Sequence, residues 1–478
     1  MGYPLLLLLL ALLSSIRILW LSDVFMDDNC WLRVIRETDG LVGFLEHSFG
    51  PMHRATVGAI FYAFLSQYDD WWFYPLWHGA TLLTEIGSPL VLYALVHKLN
   101  NDKRLAFVCA ACLIVLKFDH TLGYLSGINY RFGLLFGLLS LYATVSARHG
   151  YAWVCMVLAL ASTETALAIE PARLYMLWQA KKSRPRAVLC VWWPFLLLSV
   201  ALVGYKLVFP PVGMWQNSYI FNTTHLVKNA LSLPYFETVE LWGSLSYQTV
   251  TPWVLGLLAI VLVRIEGGNA YHFHSLSLTL ILSSLVLLLY ADRELGGSMN
   301  SSHVAVMQIG TSLLAGCWLA RRPVWVFALV VFLGTVANNK YIDLYFQSWQ
   351  AQEQFWVWFH TEHPTVKATD QFYMDVQDGA VFSDLRTYCD FEAGFQERYG
   401  VRPQVYTREQ AVNDVRRGRA IFDQPRFEQE THLGMESFET KAIQWIRYRH
   451  PVHTAPRLPD RTSYDTRPVP ASPRSAFR

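Results

Sequence analysis

Residues 278–290 read LTLILSSLVLLLY, and residues 4–13 read PLLLLLLALL. Neither run carries a charge, and a soluble fold has no surface on which to place many such runs. A helix of roughly 20 predominantly apolar residues crosses a bilayer, and somewhat fewer suffice inside a bundle. By that measure the spans are Pro4–Leu21, Pro75–His97, Leu105–Lys117, Phe132–Ala147, Tyr151–Thr163, Ala166–Gln179, Ala187–Phe209, Thr251–Val263, Phe273–Tyr290, His303–Ala320 and Pro323–Asn338. The sequence therefore predicts an α-helical polytopic membrane protein of about 11 transmembrane helices. Charge divides the chain in the same way. Only 40 of the first 340 residues are Asp, Glu, Lys or Arg, against 36 of the remaining 138. The first part, 1–340, suits lipid and the second suits water. This excludes a single soluble globular enzyme, a disordered chain and a fibrous repeat. A net charge of +2 excludes a strongly basic nucleic-acid binder, and seven cysteines in 478 residues make no disulfide scaffold.

Basic residues orient the spans. His97, Lys98, Lys103, Arg104, Arg148, His149, Lys181, Lys182, Arg184, Arg186, Arg264, Arg321 and Arg322 all fall in one alternate set of short connections, which the positive-inside rule places in the cytoplasm. The opposite set is 22–74, 118–131, a turn at Glu164, 210–250, 291–302 and the tail. It faces outward, and the pattern requires Ala166–Gln179 to cross. The first span has no basic residue before it and no small-x-small cleavage site before Asp23, so it reads as a span and not as a removed signal peptide. The outer side is then periplasm or lumen, with a bacterial inner membrane expected ahead of the endoplasmic reticulum.

The first outer loop is too long for a turn. Its amphipathic pieces Trp31–Phe44 and Met52–Leu65 suit in-plane helices at the outer interface, and the run from Asp69 to Tyr74 suits an aromatic belt. Residues 341–449 alternate short strand-like and helix-like pieces, as in a small α/β or α+β extracytoplasmic domain. Residues 450–478, rich in Pro, Arg, Ser and Thr, read as a disordered tail.

Chemistry-bearing residues collect at the outer ends of the spans. Asp27 and Asp28 directly follow the first span. His53 and Arg54 lie on an in-plane piece, Lys117, Asp119 and His120 close the third span, and Tyr130 and Arg131 open the fourth. Glu164 occupies the turn between the fifth and sixth, and Asp292, Arg293 and Glu294 follow the ninth. Ionisable groups at membrane depth are functional suspects. Each also has a plain structural role as a solvated cap or a snorkelling side chain, and the acidic pair at 27–28 divides evenly between the two readings on position alone. The convergence of acids and cations at one depth is the stronger signal.

These features resemble the GT-C superfamily of membrane glycosyltransferases, which includes protein O-mannosyltransferases and aminoarabinose transferases. Asp27-Asp28-Asn29 after the first span, in-plane helices over 31–65, and Tyr124-Leu125-Ser126-Gly127-Ile128-Asn129-Tyr130-Arg131-Phe132-Gly133 before a leucine-rich helix are similar to that family's pattern. Thr163-Glu164-Thr165-Ala166 followed by Glu170-Pro171 resembles its K-E-x-A…P turn, with Thr163 where the family has Lys. The resemblance covers roughly residues 1–340 and reaches no part of the tail. It implies an inverting transferase that moves a sugar from a polyprenyl-phosphate carrier to a hydroxyl of a glycan, lipid or protein acceptor. Asp28 or Asp27 would be the base and Glu164 the second carboxylate. Arg131, Arg293, His53 and Arg54 would bind the donor phosphate. It implies no cofactor. Asp27, Asp28 and Glu164 are the set that would hold a divalent cation, but a monophosphate-type donor needs less charge neutralisation than the pyrophosphate donors of the superfamily's oligosaccharyltransferases.

Other signals have plainer readings. Cys109 and Cys112 fall inside an apolar helix and read as packing. Cys30 and Cys389 both fall on the outer side, where a disulfide is chemically allowed. Glu85, and Glu170 with Arg173, need partners within the bundle. His272 and His274 fall on the cytoplasmic side, away from the site. Two other functions compete: a lipid or glycan transporter, which commonly shows repeated halves and broken helices, and a non-catalytic scaffold, for which Asp27 and Asp28 are replaceable.

Overall fold

A computed structural model describes residues 2–21, 70–116, 127–180, 184–208, 270–290, 305–377, 388–407, 426–431, 434–439 and 443–449. The helices in chain order are α1 (Tyr3–Ser15), α2 (Asp70–Asn100), α3 (Lys103–Val115), α4 (Ile128–Val145), α5 (His149–Ser162), α6 (Ile169–Ala180), α7 (Pro185–Val208), α8 (Ala270–Tyr290), α9 (Ala305–Leu319), α10 (Val324–Glu362) and α11 (Tyr388–Tyr399). Short 3-10 segments follow α1, at Ile16–Trp20, and precede α6, at Glu164–Ala168. The strands are β1 (Gln371–Gln377), β2 (Gln404–Thr407), β3 (Arg426–Thr431), β4 (Gly434–Glu439) and β5 (Ile443–Arg449). The described residues up to Ile342 belong to one compact unit and those from Asp343 onward to another.

The first unit is helical. Among the described residues, five helices are long and apolar enough to cross a membrane: Tyr3–Trp20, Trp72–Asn100, Ile128–Val145, Pro185–Tyr205 and Val324–Glu362. His149–Ser162, Phe273–Ser284 and Ala305–Leu319 are shorter and also apolar. These helices are compatible with an integral membrane protein. Their outward surfaces carry large apolar side chains: Trp193 on α7 is 59% exposed and Phe332 on α10 is 64% exposed. Small and polar residues instead lie between helices, as expected where lipid removes the hydrophobic drive for helix association. The expected span Thr251–Val263 and the expected in-plane pieces of 31–65 lie outside the described residues, as do residues 450–478.

Glycines set the helix spacing. A Cβ at Gly133 of α4 would stand 2.3 Å from Thr163 Cγ2, and one at Gly137 would stand 2.1 Å from Ile169 Cδ1. A larger residue at Gly133 would crowd Thr163, and one at Gly137 would force the tip of the Ile169 side chain aside. Gly316 of α9 lies equally close to Cys109 of α3, where a Cβ would meet the Cys109 backbone at 2.6 Å. Cys109 and Cys112 are buried free thiols, packed at this crossing.

Two boundaries differ from the sequence reading. The second span begins at Asp70, so part of the expected aromatic belt is the first turn of α2. The eleventh does not stop at Asn338: α10 continues unbroken for 39 residues to Glu362. It contains no proline, and it ends just before His363-Pro364, where the residue preceding proline is driven out of the helical region.

The second unit holds the last part of α10, α11 and two small sheets. β1 lies centrally in a three-stranded sheet of order β2-β1-β5, parallel to both neighbours, and β3 pairs with β4 antiparallel. β1, α11 and β2 form a parallel crossover unit. Alternation sets the faces: Phe372, Met374, Val405 and Ile446 join Phe355, Trp356, Phe359, Phe391 and Phe395 in one buried core. Gly394 of α11 lies under the Trp356 ring, where a Cβ would stand 2.1 Å from Cζ2. The Arg398 guanidinium covers the same ring at 4.9 Å and reaches Glu353 at 2.6 Å.

Candidate functional site

In the first unit, several helix ends meet near the middle of α2. α3 stops at Val115, and the last carbonyls of a helix have no partner within it. Side-chain amides from two other helices serve here. Gln308 of α9 donates through Nε2 to Leu113 O at 3.1 Å and to Leu116 O at 3.5 Å, and Asn338 of α10 donates to Ile114 O at 2.9 Å. Both amides are buried. Buried carbonyls need partners, and these bonds supply them in place of solvent.

Beside this end, Arg131 in the first turn of α4 donates through Nε to Glu85 Oε1 of α2 at 3.1 Å. Arg131 is 3% exposed and Glu85 16%. Burying either charge alone would be costly, so the pair is mutually required. Pro89 lies one turn after Glu85 inside α2. It lacks the N–H that would close the helical bond to the Glu85 carbonyl. A cavity of about 20 Å³ opens here, lined by Thr84, Glu85, Ser88, Pro89, Arg131 and Gln308 among others. That is room for about one water molecule by this measure.

α4 also packs against the segment that bears Glu164. Two residues after Arg131, Gly133 lies against Thr163. Thr163 is extended (φ −159°, ψ 140°), and its Oγ1 accepts from Thr165 N at 3.3 Å and bonds Thr165 Oγ1 at 3.0 Å. This cap opens the 3-10 segment on which Glu164 sits, half-buried. Arg131 faces α2 from α4, while Gly133, on another face of α4, packs against the segment that bears Glu164. Asp27, Asp28, His53, Arg54 and Arg293 lie outside the described residues, as does Cys30 of the expected disulfide. Among the described residues, no group of three or more His, Cys, Asp and Glu side chains is arranged to hold a metal ion.

Glu170 and Arg173 form a second buried pair, 3.0 Å apart. Arg173 also donates to Ser140 O and Oγ and to Thr144 Oγ1 on α4, and its guanidinium lies 3.9 Å from the Phe195 ring centre. Trp192 donates to Glu170 at 3.2 Å. This network ties α6 to α4 and α7, which is the structural role expected for it. Glu85 goes further than expected, since its partner is one of the candidate phosphate ligands.

His78 and Gln308 are residues that the sequence reading passed over. A signal for the first was present. His78, Thr81, Glu85 and Ser88 are spaced by three, four and three residues, which places them along one face of a helix, and such a polar face within an apolar span calls for partners. Compared with protein-family models and with curated proteins, the chain matches none.

Proposed function

We propose that this chain is an inverting glycosyltransferase that moves a sugar from a polyprenyl-phosphate carrier to an acceptor hydroxyl on the outer side of the membrane. The observation that carries the reading is the buried Arg131, held by Glu85 in the first turn of α4. A lipid-linked donor meets the enzyme at the membrane, and its leaving group is a phosphate that gains negative charge as the glycosidic bond breaks. A cation held in place before the reaction stabilises that charge without reorganising.

In this reading Asp28 or Asp27 takes the proton of the acceptor hydroxyl as its oxygen attacks the anomeric carbon. The electron pair of the broken bond stays with the phosphate oxygen, and a single displacement inverts the anomeric centre. Glu164 is the second carboxylate, while Arg131, Arg293, His53 and Arg54 receive the phosphate. The reaction requires no cofactor and no metal. Eleven spans put the amino terminus in the cytoplasm, and put the catalytic loop and the domain from residue 341 on the extracytoplasmic side of a bacterial inner membrane. The acceptor is a glycan, a lipid or a protein.

The test is transfer by the purified full-length chain, reconstituted in lipid with polyprenyl-phosphate sugars and a panel of acceptors. Transfer with inversion, lost in an Asp28→Asn or Asp27→Asn variant that inserts normally, is the expected result. Full activity with both carboxylates replaced rejects the base assignment, and reporter fusions that place 27–28 in the cytoplasm reject the topology on which it depends.

A further inference from the structure

His78 of α2 is fully buried, and neither ring nitrogen has a hydrogen-bond partner. Thr81 Oγ1, also fully buried, has none either. The two residues share the face of α2 that carries Glu85, being spaced i, i+3 and i+7. Buried polar atoms are nearly always bonded. Three orphan atoms on one face of α2 mark a place where a polar partner is missing. Arg131 supplies the charge there: its guanidinium acts on His78 through space. Arg131 is already matched by Glu85 at 3.1 Å, so the pair alone offers little net attraction to an anion. Neutral donors then matter more. An imidazole N–H and a threonine O–H stabilise phosphate oxygens without adding a further buried charge.

We propose that His78 and Thr81 are ligands of the donor's phosphate group, completing with Arg131 a cradle of three hydrogen-bond donors on the α2 and α4 faces. The assignment rests on the reading of the chain as a user of lipid-linked phosphate. His78 gives a hydrogen bond and keeps its proton. The bond from the anomeric carbon to the phosphate oxygen breaks with its electron pair on that oxygen, and the acceptor's proton goes to the carboxylate base. Such a site favours the di-anionic product over the mono-anionic donor, because hydrogen bonds to an anion strengthen with its charge.

The experiment uses the full-length chain in lipid nanodiscs, with a long-chain polyprenyl phosphate as one probe and inorganic phosphate as the other. Binding and thermal unfolding are measured for wild type, His78→Leu and His78→Gln. The wild type is expected to bind the polyprenyl phosphate, and His78→Leu to bind it about tenfold more weakly, the size of one lost hydrogen bond to an anion. His78→Gln keeps an N–H donor and is expected to stay within about threefold of wild type. Without probe, His78→Leu is expected to melt at the same temperature as wild type or higher, because it removes two buried atoms that have no partner. Unchanged binding by His78→Leu overturns the proposal. So does a lower melting temperature without probe, which would mean that the imidazole already has its partner in the empty protein. Binding of inorganic phosphate alone, weakened by His78→Leu, keeps the phosphate site and overturns the lipid-linked donor. A wild type that binds neither probe overturns both.

Discussion

Arg131 and Glu85 meet through a hydrogen bond of 3.1 Å between Nε and Oε1, joining the first turn of α4 to the middle of α2. Each is the residue that makes the other tolerable at that depth. Removing one leaves an uncompensated buried charge, at a cost of roughly 3–5 kcal/mol by the behaviour of other buried pairs, whereas replacing both with apolar residues of similar volume is often neutral. Glu85→Ala and Arg131→Ala are each expected to lower the melting temperature of the purified chain. The pair Glu85→Met with Arg131→Met is expected to recover most of the loss while abolishing donor binding. A double variant no more stable than either single variant would show that the two side chains do not depend on one another.

Gln308 is expected to be a stability residue. Gln308→Leu strips the donors from two carbonyls at the end of α3 and leaves them buried, which costs about 1–3 kcal/mol per unsatisfied group. Gln308→Glu, an acceptor when ionised, is expected to be worse than Leu. Thermal unfolding in detergent checks both, and Gln308→Leu melting with wild type would remove the capping role.

Gly394 bears on the second unit. Alanine at a helix interior normally gains nearly 1 kcal/mol over glycine. Here the new Cβ would meet Trp356 at 2.1 Å, and overpacking of that kind costs about 1–3 kcal/mol. Overpacking wins, so Gly394→Ala is expected to destabilise this unit and to shift Trp356 fluorescence. A rise in stability would show that the ring moves aside freely.

Tyr399 gives this unit an alkaline limit. Its hydroxyl donates to His363 O at 2.9 Å, and burial raises its pKa above the ordinary tyrosine value. The unfolded tyrosine ionises near pH 10, so the preference of the folded state for the protonated phenol is intact below that pH. It is lost as pH climbs from there through the raised folded value. Tyr399→Phe is expected to flatten the fall in stability above about pH 10, measured by denaturant unfolding across that range. An unchanged alkaline slope would exclude Tyr399 as its cause.

The helices were legible in the sequence because apolar runs bounded by basic residues leave a chain few options in lipid. The ends were less legible. α10 runs past Asn338 because nothing between Val324 and Glu362 forces a stop, and the drop in hydropathy there marks a change of surroundings, not a helix boundary. At the site, Arg131 and Glu164 were visible as ionisable residues at span ends. The Glu85 link was visible only as a charge in need of company, since no spacing rule connects residues 46 positions apart. His78 was hidden by its neighbours, because one imidazole amid Trp71, Trp72, Phe73, Tyr74 and Trp77 reads as part of an aromatic belt. Gln308 and Asn338 act on carbonyls of another helix, and side chain-to-backbone pairing over such separations leaves no trace in local pattern.

The amides of Gln308 and Asn338 lie late in the helical unit in chain order, yet the carbonyls they serve belong to α3, far upstream. While the ribosome is still translating the intervening helices, Leu113, Ile114 and Leu116 must find temporary acceptable surroundings, in water at the insertion machinery or among lipid headgroups. The end of α3 gains these partners only once α9 and α10 have been made. The end of α3 is thus completed only by residues made much later, and a nascent chain arrested before residue 308 is expected to leave that end unfinished and protease-sensitive.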